Sequence, residues 1–123
     1  MRFTKLKISA DAESRLRSLR QRTGMTPNLL CRMAIMLSLE EGPVGAGTAT
    51  DDGGNEFNAY TLTGDHNGLI VAMLRLVEEE AEGRRVPDDE LLARLRAHIH
   101  RGVATLSVRA KGPGDVAVLA AAA

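Results

Sequence analysis

Between Leu29 and Leu39 the chain reads LLCRMAIMLSL, and only Arg32 and Ser38 interrupt the apolar run. At 100° per residue, Leu30, Met33, Ala34 and Leu37 share one face of a helix, while Leu29, Cys31, Ile35, Met36 and Leu39 cover much of the remainder. A surface helix needs one apolar stripe; this segment has almost no polar side. Its boundaries are legible. Gly24 suits the left-handed position that ends a preceding helix, Thr26 suits an N-cap and Pro27 the first helical position. The pattern predicts a helix from Pro27 to about Glu41 whose surplus apolar surface is covered by later helices or by another copy of the chain. Leu29, Leu30, Met33, Ile35, Met36 and Leu37 are therefore the candidate oligomer-interface residues.

Other segments keep simpler periods. FTKLKI, residues 3 to 8, alternates with Thr4, Leu6 and Ile8 on one face and Phe3, Lys5 and Lys7 on the other, the signature of a short strand. Ser9 offers a cap, Asp11 and Glu13 complement the dipole, and a helix is expected from about Ala10 to Arg22 with the narrow stripe Ala12, Leu16 and Leu19. Residues 43–68 read as a Gly-rich flexible loop, with Phe57 and Tyr60 anchoring its far end. A third helix is expected from Leu69 to Glu82 with Leu69, Met73, Leu76 and Val77 inward. A fourth should start at a cap of Asp88 or Asp89 and run to about Arg109, carrying Leu92, Leu95, Ile99, Val103 and Leu106. Gly102 within it marks close packing or a bend. The end, residues 112–123, reads as a loosely ordered tail.

The expected fold is thus predominantly all-α: a single four-helix domain over residues 1–123 with a short N-terminal strand, residues 69–111 supplying the C-terminal helices. The strand–helix–turn–helix order of residues 1–42 is that of a ribbon-helix-helix unit, in which two chains pair their strands and pack their second helices. An ordinary helical hairpin is the alternative. Either way the surplus on the second helix favours an oligomeric helical bundle.

Charge changes this picture more than composition does. The 16 basic and 16 acidic side chains cancel, but not locally. Residues 1–42 hold Arg2, Lys5, Lys7, Arg15, Arg17, Arg20, Arg22 and Arg32 against Asp11, Glu13, Glu40 and Glu41; the middle is acidic and the end basic again. Such asymmetry points to an anionic partner for one surface. The basic candidates for it are Lys5, Lys7, Arg15, Arg17, Arg20 and Arg22. With three aromatic residues in all, stacking on single strands is a poor primary mode, and backbone contact with duplex DNA is the better one. No apolar run is long enough to span a bilayer and no leader pattern opens the chain, so a cytoplasmic protein is expected.

Catalytic patterns are weak. His98 and His100, two positions apart on a helix, point about 200° away from each other and cannot share a metal within one helix; the expectation for them is a helix surface beside Arg94 and Arg101. Cys31 sits among apolar residues and reads as a buried structural thiol. The acids of EEEAE, residues 78 to 82, read as a solvated face or caps. The Gly-rich stretch lacks the Gly-Lys-Ser/Thr ending of a phosphate loop. No enzyme, metal or cofactor is expected.

Three stretches carry a resemblance: ISADAESRLRSLRQRTGMTPNLLCRMAIMLSLEEG, GNEFNAYTLTGDHNGLIVAMLR and DELLARLRAHIHRGV. In order and spacing they resemble the DNA sulfur modification protein DndE family, over residues 8–111. The resemblance implies a non-catalytic helical component of bacterial DNA phosphorothioation that assembles into a tetramer and binds duplex DNA, with a preference for nicked duplex, alongside the other proteins of the system. The GPVGAGTATDD insert and the Ala-rich end depart from the family pattern. Two rival readings stay open: a ribbon-helix-helix repressor reading bases with Phe3, Lys5 and Lys7, and an adaptor whose acidic middle docks the sulfur-transfer enzymes. A metal-dependent nuclease using His98 ranks last.

Overall fold

The computed structural model describes residues 3–48 and 50–122. Strand β1 (Lys5–Lys7) leads into helix α1 (Ala10–Thr23) and helix α2 (Pro27–Glu41); strand β2 (Glu56–Asn58), a short helix α3 (Ala59–Thr63) and a 3-10 turn (Gly64–His66) follow. Helices α4 (Asn67–Glu82), α5 (Asp88–Arg109) and α6 (Pro113–Ala122) complete the chain. The predominantly helical class is as expected.

The first two helices are set by the local chemistry that the sequence advertises. Ser9 caps α1 by accepting from the Ala12 amide at 3.1 Å. Gly24, at φ 74°, ends it with its amide donating to the Arg20 carbonyl. Thr26 caps α2 and Pro27 occupies its first turn.

β1 finds its partner in the same chain. It pairs antiparallel with β2, Leu6 opposite Phe57, which sends Leu6 and Ile8 into the core and leaves Lys5 and Lys7 outside. The two-residue period of the sequence is therefore real, but the second strand comes from within residues 43–68. That segment is pinned rather than a flexible loop. The Gly54 amide donates to the Ile8 carbonyl at 2.9 Å, and Asp51 accepts from the Ala10 amide at 2.9 Å at the start of α1. A Cβ on Gly54 would stand 2.5 Å from the Ser9 carbonyl oxygen, so only glycine lets the two backbones approach this closely. Of the two expected anchors, Phe57 packs on the core, whereas Tyr60 is 67% exposed.

α2 and α5 form the most extensive contact in the molecule. Leu30, Ala34 and Ile35 of α2 meet a core that includes Leu95, Ile99, Val103 and Leu106 of α5, all fully buried, and α1 adds Leu16 and Leu19. At the crossing sits Gly102, where a Cβ would fall 1.9 Å from the Ala34 carbonyl oxygen and 2.5 Å from its carbonyl carbon. The helices touch backbone to backbone there. α5 begins without a side-chain cap on Pro87; Asp88 and Asp89 lie in its first turn instead, acting through the dipole.

Two further expectations fail. α4 is rotated from its predicted stripe: Ile70, Val71, Leu74 and Glu78 face inward, and Leu69 and Leu76 are 60% and 63% exposed. Glu78 is held by buried partners on α5, and residues four, seven and eight positions before it must share its face. The expected loose tail is helix α6, tied in by buried Val116 and by Asp115 accepting from the Lys111 amide at 2.9 Å.

Gly102→Ala is expected to destabilise the protein by about 3 kcal/mol or more, because backbone rather than a flexible side chain must move. Urea or thermal unfolding measures it; unchanged stability would contradict the close crossing.

Candidate nucleic-acid interface

The six predicted basic residues do not form one patch. β1 presents Lys5 and Lys7 to solvent, and α1 presents Arg17 and Arg20 on the side that faces the β1–β2 ribbon, where both line a cleft with Ile8, Asn55 and Phe57. Arg15 lies elsewhere on α1, paired with Asp11 at 2.9 Å. Arg22 is drawn onto α5, donating to the Ser107 carbonyl at 3.3 Å and hydroxyl at 3.2 Å.

Acids answer some of this charge. Lys5 lies 3.7 Å from Glu56 and Arg17 3.2 Å from Glu13, both exposed contacts. Such pairs are worth about 0–1 kcal/mol, so a phosphate can compete for either cation. The side chains of Lys7 and Arg20 have no acidic partner among the described residues. Arg96 joins the group unexpectedly: its Nε donates to the Lys7 carbonyl at 2.6 Å, setting a guanidinium beside β1. Nothing local in the sequence signals a contact across 89 positions.

The predicted interface residues also separate. Leu30 and Ile35 are fully buried in the chain's own core and offer no surface to a second copy, a correction to the expected interface set. Leu29 is 43% exposed, and Met33, Met36 and Leu37 are half-buried. α4 extends this outward face through Leu76, Met73 and Val77, which with Met36 and Leu39 line an apolar groove of about 270 Å³.

A second polar cluster is centred on buried residues. Glu78 Oε1 accepts from Arg94 Nη1 and the Gly45 amide, both at 3.0 Å; Oε2 accepts from the Val44 amide at 2.9 Å and from His98 Nε2 at 2.8 Å. His98 Nδ1 lies 2.7 Å from Ser38 Oγ, which accepts from Arg101 Nε at 2.9 Å. Arg101 also donates to the carbonyls of Ser38 and Gly42 at the end of α2. Glu78, His98 and Ser38 are fully buried, so the expected helix surface at His98 and solvated face at Glu78 are both corrected. Spacing alone could not show that these residues, from three helices, converge.

Burial raises the Glu78 carboxyl, but the hydrogen bonds from His98, the two loop amides and Arg94 outweigh it and hold the group below the usual carboxylate range. Burial also pushes His98 down, more than Glu78 pulls it up, leaving a neutral ring. With Nε2–H donating to Glu78, Nδ1 accepts the Ser38 hydroxyl proton, so the bonds run in one direction from Arg101 through Ser38 and His98 to Glu78, while Arg94 Nε and Nη2 find no hydrogen-bond partner among the described residues. The order Ser–His–Glu has the connectivity of a hydrolytic triad. Its serine, however, is sealed in the core with no open position for an acyl group, and the cluster's evident work is to join α2, α4, α5 and the Gly-rich segment. Cys31 is likewise sealed, its thiol pushed up to about 12 by burial. Among the described residues no group of three or more His, Cys, Asp or Glu is placed to hold a metal, and no helix is long and apolar enough to cross a membrane.

The family model described as DNA sulphur modification protein DndE matches residues 5–112. The chain belongs to the DndE family. Its fold matches a crystal structure of DndE from Escherichia coli B7A involved in DNA phosphorothioation modification, with 23% identity and a TM-score of 0.75 over 86% of this chain and all of that one. A glycine-to-lysine mutant of DndE, described as involved in DNA phosphorothioation, matches with 22% identity and a TM-score of 0.67, covering 85% and 97% of the two chains. No curated protein sequence matches significantly. Family membership makes the chain a component of DNA sulphur modification.

The buried network fixes the sign of an acid response. A neutral His98 with a lowered folded pKa contributes stability that is lost as pH falls from about 6.5, its unfolded value, toward the folded one. Glu78, also lowered, adds a further loss below the unfolded carboxyl range. The melting temperature should fall between about pH 7.5 and about pH 5, and His98→Gln should melt lower at the upper end of that range with a shallower fall. Parallel curves would remove His98 from this role.

Proposed function

We propose that the chain serves DNA phosphorothioation as a non-catalytic scaffold that binds duplex DNA, cytoplasmic and assembled as a homo-oligomer, with a tetramer as the expected form. The observation that carries the DNA reading is the exposed set Lys5, Lys7, Arg17 and Arg20 around the β1–β2 ribbon and α1, with Arg96 adjoining it. Membership in a DNA sulphur modification family, and the involvement of solved DndE proteins in phosphorothioation, supply the context.

Oligomerisation supplies the strength. One chain carries no net charge, but copies joined through the outward faces of α2 and α4 present their basic sets together, and tethered contacts gain from high effective concentration. The apolar residues that favour this joining are Leu29, Met33, Met36 and Leu37 of α2 with Leu69, Met73 and Leu76 of α4. The other phosphorothioation proteins are the expected protein partners, and the scaffold presents duplex, nicked or intact, to them.

Pairing of β1 with β2 inside the chain gives no support to a repressor that inserts a two-chain ribbon into the major groove. The test is a salt titration of duplex binding. Counterion release makes the affinity fall steeply with salt. Replacing Arg17 and Arg20 by alanine should weaken binding and flatten the slope by roughly one for each phosphate no longer neutralised, with the assembly intact. Unchanged affinity and slope would remove both residues from the interface.

A further inference from the structure

The cleft beside Arg17 and Arg20 is shaped for more than a phosphate. It encloses about 150 Å³ between β1, α1, β2 and the start of α2. This is well under the roughly 300–1,000 Å³ of pockets that enclose a whole drug-sized ligand, so it admits a single ring system. Ile8 and Leu16, both almost fully buried, supply an apolar floor, and Pro27 and Phe57 contribute further apolar wall. Phe57 is one of two phenylalanines in the chain and is half-buried on the core. The polar lining is mixed: the Asn55 amide offers a donor and an acceptor, and the Glu13 carboxylate offers acceptors. Arg20, at the same cleft, has no acidic partner among the described residues.

A simple anion does not need an aromatic and apolar lining, and a simple hydrocarbon does not need an amide, a carboxylate and a guanidinium. A nucleotide, with a flat ring, a polar edge and an attached anion, uses both. We propose that this cleft takes the base of a single unstacked deoxynucleotide, with Phe57 against the ring, Asn55 and Glu13 on its polar edge, and Arg20 on the attached phosphate. Aromatic side chains serve any base in this way because every base has a π-face. Unstacking is least costly where a base is mismatched, damaged or already unpaired. The inference deepens the duplex-binding reading and rests on it for the source of the nucleotide: the outer cations hold backbone, while the cleft samples a base that has left the stack.

The test titrates deoxyadenosine 5′-monophosphate, and separately deoxyribose 5-phosphate, into the full chain while the methyl resonances of Ile8 and Leu16 are followed by NMR. The nucleotide should shift both methyls in a saturable manner, and the base-free sugar phosphate should leave them near their starting positions. Phe57→Leu should weaken the nucleotide response about tenfold. Asn55→Ala, at an exposed position, should also weaken it and guards against a folding defect in the first variant. If the nucleotide moves neither methyl, or the sugar phosphate acts equally well, the base site is overturned even where duplex binding persists. If the methyls respond but intact, nicked and mismatched duplexes all fail to bind, the base site stands and the duplex-binding reading falls.

Discussion

The contact between Gly102 and the Ala34 carbonyl governs the rest of the molecule. With no side chain at the crossing, α5 lies directly on α2 and buries Leu30, Ala34 and Ile35 against its own apolar stripe. That closeness also brings His98 within 2.7 Å of Ser38 and lets Arg101 reach the last carbonyls of α2. One face of an almost wholly apolar helix is thereby satisfied within the chain. The opposite face is left outward.

The buried charges then orient α4. Glu78 receives two loop amides, an arginine and a histidine, and losing one partner of a buried ion pair typically costs about 3–5 kcal/mol, a large fraction of the roughly 5–15 kcal/mol that holds a domain folded. With Glu78 committed inward, Ile70, Val71 and Leu74 go with it, while Leu69 and Leu76 turn out to solvent. The same carboxylate fastens Val44 and Gly45, so the Gly-rich segment is tied down at its start by Glu78 and near β2 by Asp51. Gly54 serves close approach there, and the segment supplies the strand that completes the ribbon.

What was legible in the sequence is what short-range chemistry decides. Ser9, Gly24, Thr26 and Pro27 name the ends of α1 and α2 because a cap acts within a few residues, and the alternation of residues 3 to 8 separates Leu6 and Ile8 from Lys5 and Lys7 because a strand has a strict period. Gly102 announces a close crossing but not with which helix. The face of α4 was illegible because apolar periodicity favours Leu69 and Leu76, and a single buried carboxylate, invisible to periodicity, overrides it. The partner of β1 was hidden for a similar reason: three residues, Glu56–Asn58, are too few to stand out within a Gly-rich stretch. On the candidate interface, exposure of Lys5, Lys7, Arg17 and Arg20 follows from the stripe of α1 and the alternation of β1. The diversion of Arg22 to Ser107 and the arrival of Arg96 beside Lys7 depend on tertiary packing.

A half-covered α2 links fold to function. Its outward residues adjoin those of α4 in one apolar surface; on the proposed reading a second copy covers it, and the joined copies gather cations that a neutral monomer holds too thinly to grip duplex DNA. Sedimentation of the purified chain at micromolar concentration addresses this directly. The expected result is a species several times the 13.2 kDa of one chain, split into monomers by a charge placed at Met36 or Leu76. A folded 13.2 kDa particle across the whole concentration range would contradict the assignment.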